Sequence, residues 1–375
     1  MKCINIAGAG ISGMTAGINL AKKGYKVTIY EQGNHAGGRF EADWQFLENW
    51  STRQDALEFY KSINLSTDFF HKPIKEMELL LNGKKHHVKT KSILMYAVNR
   101  GRRSDSIDSA LYQQARTLGV KFIFNSPKRF DEVDIYAAGP RRPDANILGY
   151  YYNADKTDKI IAVYDTKLSR RGYTYLTQFN GVGNLVITDA RKACTKETLQ
   201  VFEKSIYEKY GIKLKQKELF GSIANLFNAA HYYLNGRYYT GESAGLQDPI
   251  AGFGMRIAAN SGYLCAKAID ENLDYDSLIK KQILKKIKGS VIYRRILFDL
   301  KLAKPLLAVF SLFGAGKLLE NTDLLKYCMR IMYASKINNV LYPPFIIYSR
   351  IFKRDSYKRN VNINPERPMD YLKKN

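Results

Sequence analysis

Cysteine is scarce and scattered: the four in the chain (Cys3, Cys194, Cys265, Cys328) form no CxxC pair. That excludes a disulfide framework and the paired-cysteine zinc sites, and it suits a reducing cytoplasm. The five histidines show no metal-ligand spacing. His86–His87 sits beside Lys84–Lys85 in a segment read as an exposed strand, so no metal is expected. Apolar residues nowhere run uninterrupted for the ~18–20 positions of a membrane-spanning helix; the longest candidates, 306–315 and 341–347, fall far short. The first ten residues lead straight into a strand and a glycine turn, which leaves no room for a cleavable leader. Acid is short as well. Against 59 Lys+Arg stand 35 Asp+Glu, a net charge of +24, and residues 276–375 hold 21 basic and 7 acidic side chains, +14 of that total. Such a tail is drawn to polyanions, nucleic acid or an anionic membrane surface. No nucleic-acid recognition module accompanies it, and a solvated basic surface is the plain alternative.

What is present reads as a globular chain. With 375 residues, 45% hydrophobic and 25% charged, one composite domain with an appendage is expected. Residues 2–7 read as a strand, 14–23 as a helix stopped by Gly24, and 25–30 as a second strand ending at Glu31, a βαβ opening. Residues 41–95 hold aromatic and amphipathic pieces without a nucleotide motif. A helix over 108–118, a strand over 120–124 and a strand over 133–138 closed by Gly139 follow. From about 145 to 235, β-rich runs with one helix near 196–210 suit a separate antiparallel sheet. A last helix runs from about 254 to 270, and the rest is helical, basic and apolar by turns.

Gly8-Ala9-Gly10-Ile11-Ser12-Gly13 satisfies GxGxxG between the first strand and the first helix. Gly8 permits the tight turn, Gly10 lets a pyrophosphate approach the backbone, and Gly13 lets helix and strand pack closely. The helix start, including Ser12, offers free N–H groups to phosphate. Glu31 closes the second strand where it can accept from ribose hydroxyls. That unit alone leaves NAD and FAD both open.

Two later segments bear on the choice. Gly37-Gly38-Arg39, just past Glu31, resembles the second glycine pair of flavoproteins with the glutathione-reductase-type fold, where backbone and arginine meet the FAD diphosphate. The stretch from Gly241 to Met255, with Glu242, Pro249, Gly252 and Gly254, resembles the G-D-A-A-G-x-x-x-P-x-x-G-x-G segment of the geranylgeranyl reductase and aromatic hydroxylase superfamily. The resemblance implies that Glu242, in place of the usual aspartate, binds the ribityl chain. It also implies that the helix opening at Gly252, Gly254 and Met255 aims at the flavin ring, where its positive end stabilises negative charge by ~0.3–2 kcal/mol. Asn99-Arg100-Gly101 followed by Ser106 to Leu111 resembles the family's R-G … L-D-x-x-L segment, which implies that Arg100 approaches the flavin. Asp134 to Gly139 resembles the strand-to-glycine turn near the adenine.

The resemblance implies an α/β fold: a Rossmann-like FAD-binding domain (about 1–45, 96–142 and 236–275) with substrate-side insertions (about 46–95 and 143–235), the latter an inserted antiparallel β-sheet substrate domain. A basic helical C-terminal region (276–375) completes the chain. FAD is expected to be held non-covalently. Only one dinucleotide fingerprint is present, because Gly181-Val182-Gly183 precedes a strand and reads as a hairpin turn; NAD(P)H would then be a transient electron donor, beside a protein donor or the substrate itself. No catalytic acid, base or nucleophile stands out, and Cys265 reads as core. This is consistent with a cofactor that carries out the redox step itself.

Over the substrate the prenyl reductases carry an aromatic stretch; the nearest segment here, Gly172 to Leu176, keeps tyrosines but lacks the tryptophan and proline. Three readings stay open. One is reduction or desaturation of C=C bonds of an apolar prenyl-type lipid, with the basic amphipathic segments 280–288, 305–316 and 341–352 docked on an anionic bilayer. The second is FAD-dependent monooxygenation of an aromatic or polyketide-like substrate. The third is flavin binding without turnover. A cytoplasmic location, peripheral on the membrane in the first reading, is expected; oligomeric state is not legible.

Overall fold

In the computed structural model, residues 2–81, 83–140, 143–190, 193–226, 231–294 and 323–334 are described. The chain runs β1 (Cys3–Ala7), α1 (Ile11–Lys22), β2 (Lys26–Tyr30), β3 (Ala42–Glu48), α2 (Ala56–Ser62), β4 (His71–Ile74), β5 (Glu76–Leu81), β6 (Lys84–Lys89) and β7 (Met95–Gly101). It continues with α3 (Ile107–Thr117), β8 (Lys121–Ile123), β9 (Ile135–Tyr136), β10 (Ala145–Asn153), β11 (Lys159–Tyr164), β12 (Thr174–Phe179) and β13 (Val182–Asp189). Then come α4 (Lys196–Tyr210), β14 (Lys215–Ala224), β15 (Tyr233–Leu234), β16 (Arg237–Tyr239), α5 (Met255–Asp270), α6 (Tyr275–Ile279), α7 (Lys285–Arg294) and α8 (Leu324–Ala334).

A six-stranded sheet in the order β15-β16-β9-β1-β2-β8 carries the glycine motifs. Its inner strands are parallel, with Ile6 beside Ile29 and Ile135, and Ile135 beside Tyr238. Parallel neighbours need crossovers, and α1 supplies the first one. Its apolar residues Met14, Ile18 and Leu20 are fully buried in one core with Ile6, Ile29 and Leu264 of α5. Helix α5 lies close on α1: a Cβ at Gly262 would overlap the Ser12 carbonyl.

The second sheet has seven strands in the order β14-β10-β13-β12-β11-β5-β6. It is antiparallel as expected except at β5 and β11, which run parallel with Glu78 beside Ile161. Helix α4 covers one face, burying Leu199, Phe202 and Ile206 against Leu176, Leu185 and Ile187. A three-stranded sheet, β3-β7-β4, packs on it through a third core built on Trp44, Ile160 and Phe179. The Trp44 indole N–H donates to the Val182 carbonyl at 3.1 Å, which fixes the two sheets relative to each other. Gly181 sits at φ +82 in the tight turn between β12 and β13, the hairpin read from the sequence.

The start of the C-terminal region is part of the main core. Ile279, Ile283 and Ile287 are buried with Ile6 and Leu264 while Lys280, Lys281 and Lys285 face solvent. The apolar side of 280–288 is thus taken up by the protein, a correction to its reading as a bilayer-facing segment. Segments 305–316 and 341–352 lie outside the described residues. Among the described residues, no helix is long and apolar enough to cross a membrane.

Candidate functional site

The glycine turn forms as its spacing requires. Gly8 has φ +102, and a Cβ there would overlap the Ala137 carbonyl of the neighbouring β9 segment. A Cβ at Gly13 would overlap the Gly8 carbonyl, whereas at Gly10 it would meet nothing within 4 Å. The helix therefore starts at Ile11, inside the motif and earlier than position 14. Glu31 is 8% exposed and accepts from the N–H groups of Ala9 and Gly33, each at 2.8 Å. Glu31, the residue expected to accept from ribose hydroxyls, thus also clasps the glycine loop. Each carboxylate oxygen keeps capacity for one further donor.

Helix ends separate the two motif helices from α2, α3, α4 and α6. Asp55, Ser106, Thr195 and Asp274 cap α2, α3, α4 and α6 through their side chains. Helices α1 and α5, which open at Gly10 and Gly254, have neither a side-chain cap nor an acidic residue in the first turn. The first N–H groups of a helix need acceptors. Here none comes from a capping side chain.

The remaining motif residues converge around these two ends. The Gly37 N–H donates to the Ala9 carbonyl at 2.9 Å, which sets Gly38 and Arg39 beside the first turn. Arg39 crosses to the far side and pairs with Glu242 at 2.5 Å, with Ser222 Oγ at 2.9 Å and with the Ile223 carbonyl. Glu242 also accepts from the Asn225 N–H at 3.1 Å. Arg100 is 7% exposed, and its Nε and Nη2 reach both Asp108 oxygens at 2.7 and 3.1 Å. Asp108 further accepts from the Gly101 N–H at 2.9 Å. Burial works against the Arg100 charge, but the Asp108 carboxylate outweighs it and the pKa is raised. Arg100 is thus neither a surface arginine nor free: one face stacks on Phe40 at 4.3 Å. Its neighbours Arg102 and Arg103 pair instead with Glu41 and Asp105. Gly139 follows β9 with φ +83 and open space around it.

The loop before α5 is organised by Asp248, a fully buried residue that the motif reading passed over. It accepts from the N–H groups of Ile250 and Ala251 at 3.0 and 2.9 Å, and burial pushes its pKa up. Gly252 is held by the Asp248 carbonyl on its N–H at 3.1 Å, and Gln247 Nε2 donates to its carbonyl at 3.1 Å. A Cβ at Gly254 would run into the Gln247 side chain. Met255 is buried, and its carbonyl accepts from Tyr60 Oη at 3.3 Å.

Opposite this loop stands β12. Tyr173 donates to the Ala251 carbonyl and stacks with Tyr175 at 5.9 Å. At the base, Asp43 of β3 is 6% exposed and accepts from the Tyr151 hydroxyl. Tyr151 itself stacks on Phe220 at 4.2 Å. Burial pushes Asp43 up to about 6, against the pull of Tyr151, Arg100 and Arg39. Burial and the Asp43 charge raise Tyr151 in turn. The sequence held no local sign of Asp43, since the Tyr151 hydroxyl that it accepts from lies on a strand more than a hundred residues away. Cys265 is fully buried on α5, consistent with a core role. Among the described residues, no cluster of His, Cys, Asp and Glu is placed to hold a metal.

The sheet order and the meeting of the glycine loops define an α/β fold with a Rossmann-like sheet and a second, mostly antiparallel sheet. Comparison with known proteins agrees. Residues 6–46 match the NAD(P)-binding Rossmann-like domain family. The chain is similar in structure to a geranylgeranyl bacteriochlorophyll reductase-like protein from Thermoplasma acidophilum, with 16% identity and a TM-score of 0.63 over 94% of this chain and 99% of that one. It is similar also to PqsL, a probable FAD-dependent monooxygenase from Pseudomonas aeruginosa (14% identity, TM-score 0.57, 80% and 97% covered). The flavin-dependent brominase Bmp2 gives 14% identity and a TM-score of 0.57 over 93% and 100%. At these identities the likeness is one of fold, and the resemblance read from the motifs holds at that level. A search of curated protein sequences found no match.

Proposed function

We propose that the chain is an FAD-dependent oxidoreductase that holds the cofactor non-covalently and reduces, or desaturates, C=C bonds of an apolar prenyl-type lipid. The observation that carries the cofactor is the pair of uncapped helix ends at Gly10 and Gly254, against the side-chain caps of α2, α3, α4 and α6. The residues fit the group: the α1 end and Gly10 would meet the diphosphate, Arg39 and Glu242 the chain that links it to the ring, and the α5 end the ring. When bound, FAD supplies the two-electron chemistry. Around it, the chain's residues position and shield. Tyr173 and Tyr175 form an aromatic wall, and Asp43 holds a proton on its carboxyl below about pH 6 beside the Tyr151 hydroxyl.

The prenyl reading is supported by the likeness to the reductase-like protein, and the membrane surface by the charge of residues 276–375. A second reading, monooxygenation of an aromatic substrate, is favoured by the ring-lined walls at Tyr151, Phe220, Tyr173 and Tyr175. One experiment separates them: the absorbance spectrum of the purified protein, then anaerobic NADPH, then air. Bound flavin that ignores NADPH yet bleaches with dithionite is expected for the lipid reductase. Bleaching by NADPH with rapid peroxide release in air selects the monooxygenase. No flavin, and no uptake of added FAD, overturns both.

A further inference from the structure

A cavity of about 140 Å³ lies between α2, α5 and the C-terminal helices, and the redox reading does not use it. Its wall carries Arg256, the second residue of α5 and only 4% exposed. One guanidinium nitrogen donates to Thr52 Oγ1 at 2.6 Å and to the Gln54 carbonyl at 3.0 Å. The second terminal nitrogen, Nη1, has no hydrogen-bond partner. The guanidinium lies 4.7 Å over the Phe59 ring. The acid in the same wall, Glu48, is already engaged by the Trp50 and Ser51 N–H groups, both at 2.9 Å, and by the Ser51 hydroxyl at 2.6 Å. Burial pulls the Arg256 pKa below the usual guanidinium range against the favourable charges of Glu48 and Asp55, yet neither carboxylate bonds Nη1, which is left buried and unsatisfied. The end of α5 adds to the positive field, since its first turn holds no acid. A second guanidinium with an unpartnered Nε, Arg330, sits three residues before the cavity-lining Tyr333 on α8.

We propose that this cavity binds an oxyanion, a phosphate or a carboxylate, seated on the Arg256 guanidinium. The group comes either from a free anion or from the acidic head of the lipid substrate. The latter form rests on the proposed function and narrows its substrate to an apolar chain ending in an oxyanion; the former does not depend on it. Trp50 reports on the site, because its ring meets the lining residues Phe253 and Tyr333 at 4.7 and 6.3 Å.

The test uses the full-length protein as purified. Thermal midpoint and tryptophan fluorescence are followed on titration with inorganic phosphate, acetate, a prenyl monophosphate and the matching prenyl alcohol. Wild type, Arg256→Gln and Arg256→Lys are compared. An oxyanion probe is expected to raise the midpoint and change the fluorescence. Arg256→Gln should weaken its apparent Kd at least about tenfold, with partial retention in Arg256→Lys. Equal binding of inorganic phosphate and prenyl monophosphate assigns a free anion; binding of the prenyl monophosphate alone assigns a head group. Without probe, Arg256→Gln should lose little stability, because the cost of burying the cation and its unsatisfied Nη1 goes together with the two hydrogen bonds. The proposal is overturned if no oxyanion binds, if the alcohol binds as tightly as the monophosphate, or if Arg256→Gln loses stability equally with and without probe. Should Arg256→Gln not fold, Thr52→Val, which removes one of the two acceptors that hold Nη2, must still shift the Kd. Wild-type flavin absorbance is read on the same samples; its absence removes the proposed function and leaves the phosphate titration standing.

Discussion

At Asp43 two demands oppose each other: burial favours the neutral acid, while Arg39, Arg100 and the Tyr151 hydroxyl favour the anion. Burial wins, and the folded pKa of about 6 lies above the ordinary 3.8. A pKa raised on folding means the folded state binds the proton more tightly. The contribution is therefore fully present below about pH 4 and is lost as pH rises through 6, amounting to about 3 kcal/mol. Asp43→Asn should then be more stable than wild type at pH 7–8 and level with it near pH 4, as read from urea midpoints across that range. Identical pH profiles for the two proteins would count against a shifted carboxyl. Asp43 also marks where the sequence stops being informative. The demands of Gly8 and Gly13 are local, so the motif declares them. The burial of Asp43 is made by Tyr151 of β10 and by β3 lying on the seven-stranded sheet, where Asn184 Oδ1 accepts from the Trp44 N–H. Arg100 is intermediate: its segment was legible, but its grip on Asp108 depends on how β7 enters α3.

At the scale of an element, the start of α1 separates two kinds of glycine. Gly10 is extended, at φ −87 and ψ −179, a conformation open to any residue, and its Cβ direction is open. Gly10→Val should therefore fold with a near-normal melting temperature while losing most of its flavin, measured as bound absorbance after gel filtration. Gly13→Ala forces a methyl onto the Gly8 carbonyl and should cost about 1–3 kcal/mol or more in stability. If both variants lose stability alike, Gly10 serves packing and not a ligand. The elements themselves were largely legible, because α1, α3, α4 and α5 declare their ends by glycine or by a cap. The three-stranded sheet was not. Its strands pair Trp44 with Asn99 and His71 with Val98 across long gaps in the chain, and no periodicity encodes such partners.

At the scale of the molecule, charge is unevenly shared. Some of the basic excess after residue 275 is structural: Arg294 is 5% exposed and donates to the Pro249 and Arg171 carbonyls, and Lys326 donates to the Ile93 carbonyl at 2.8 Å. The remainder still leaves a strongly cationic chain. Binding to vesicles rich in anionic lipid at low salt, released by about 0.5 M salt where screening is within a few ångströms, is the expected behaviour in a sedimentation assay. Equal binding to neutral vesicles would reject the electrostatic account. The parallel sheet has one more consequence. Strand β1 finds β9 only at residue 135, β9 finds β16 only at residue 238, and α5 ends at Asp270. On a ribosome adding about 5–20 residues per second, the first βα turn therefore waits on the order of ten to fifty seconds for its partners. For that interval the nascent chain displays an unfinished sheet edge. Synthesis up to residue 270 is thus when this chain would gain most from a chaperone, and a translation pause inside the long insertions would prolong that interval.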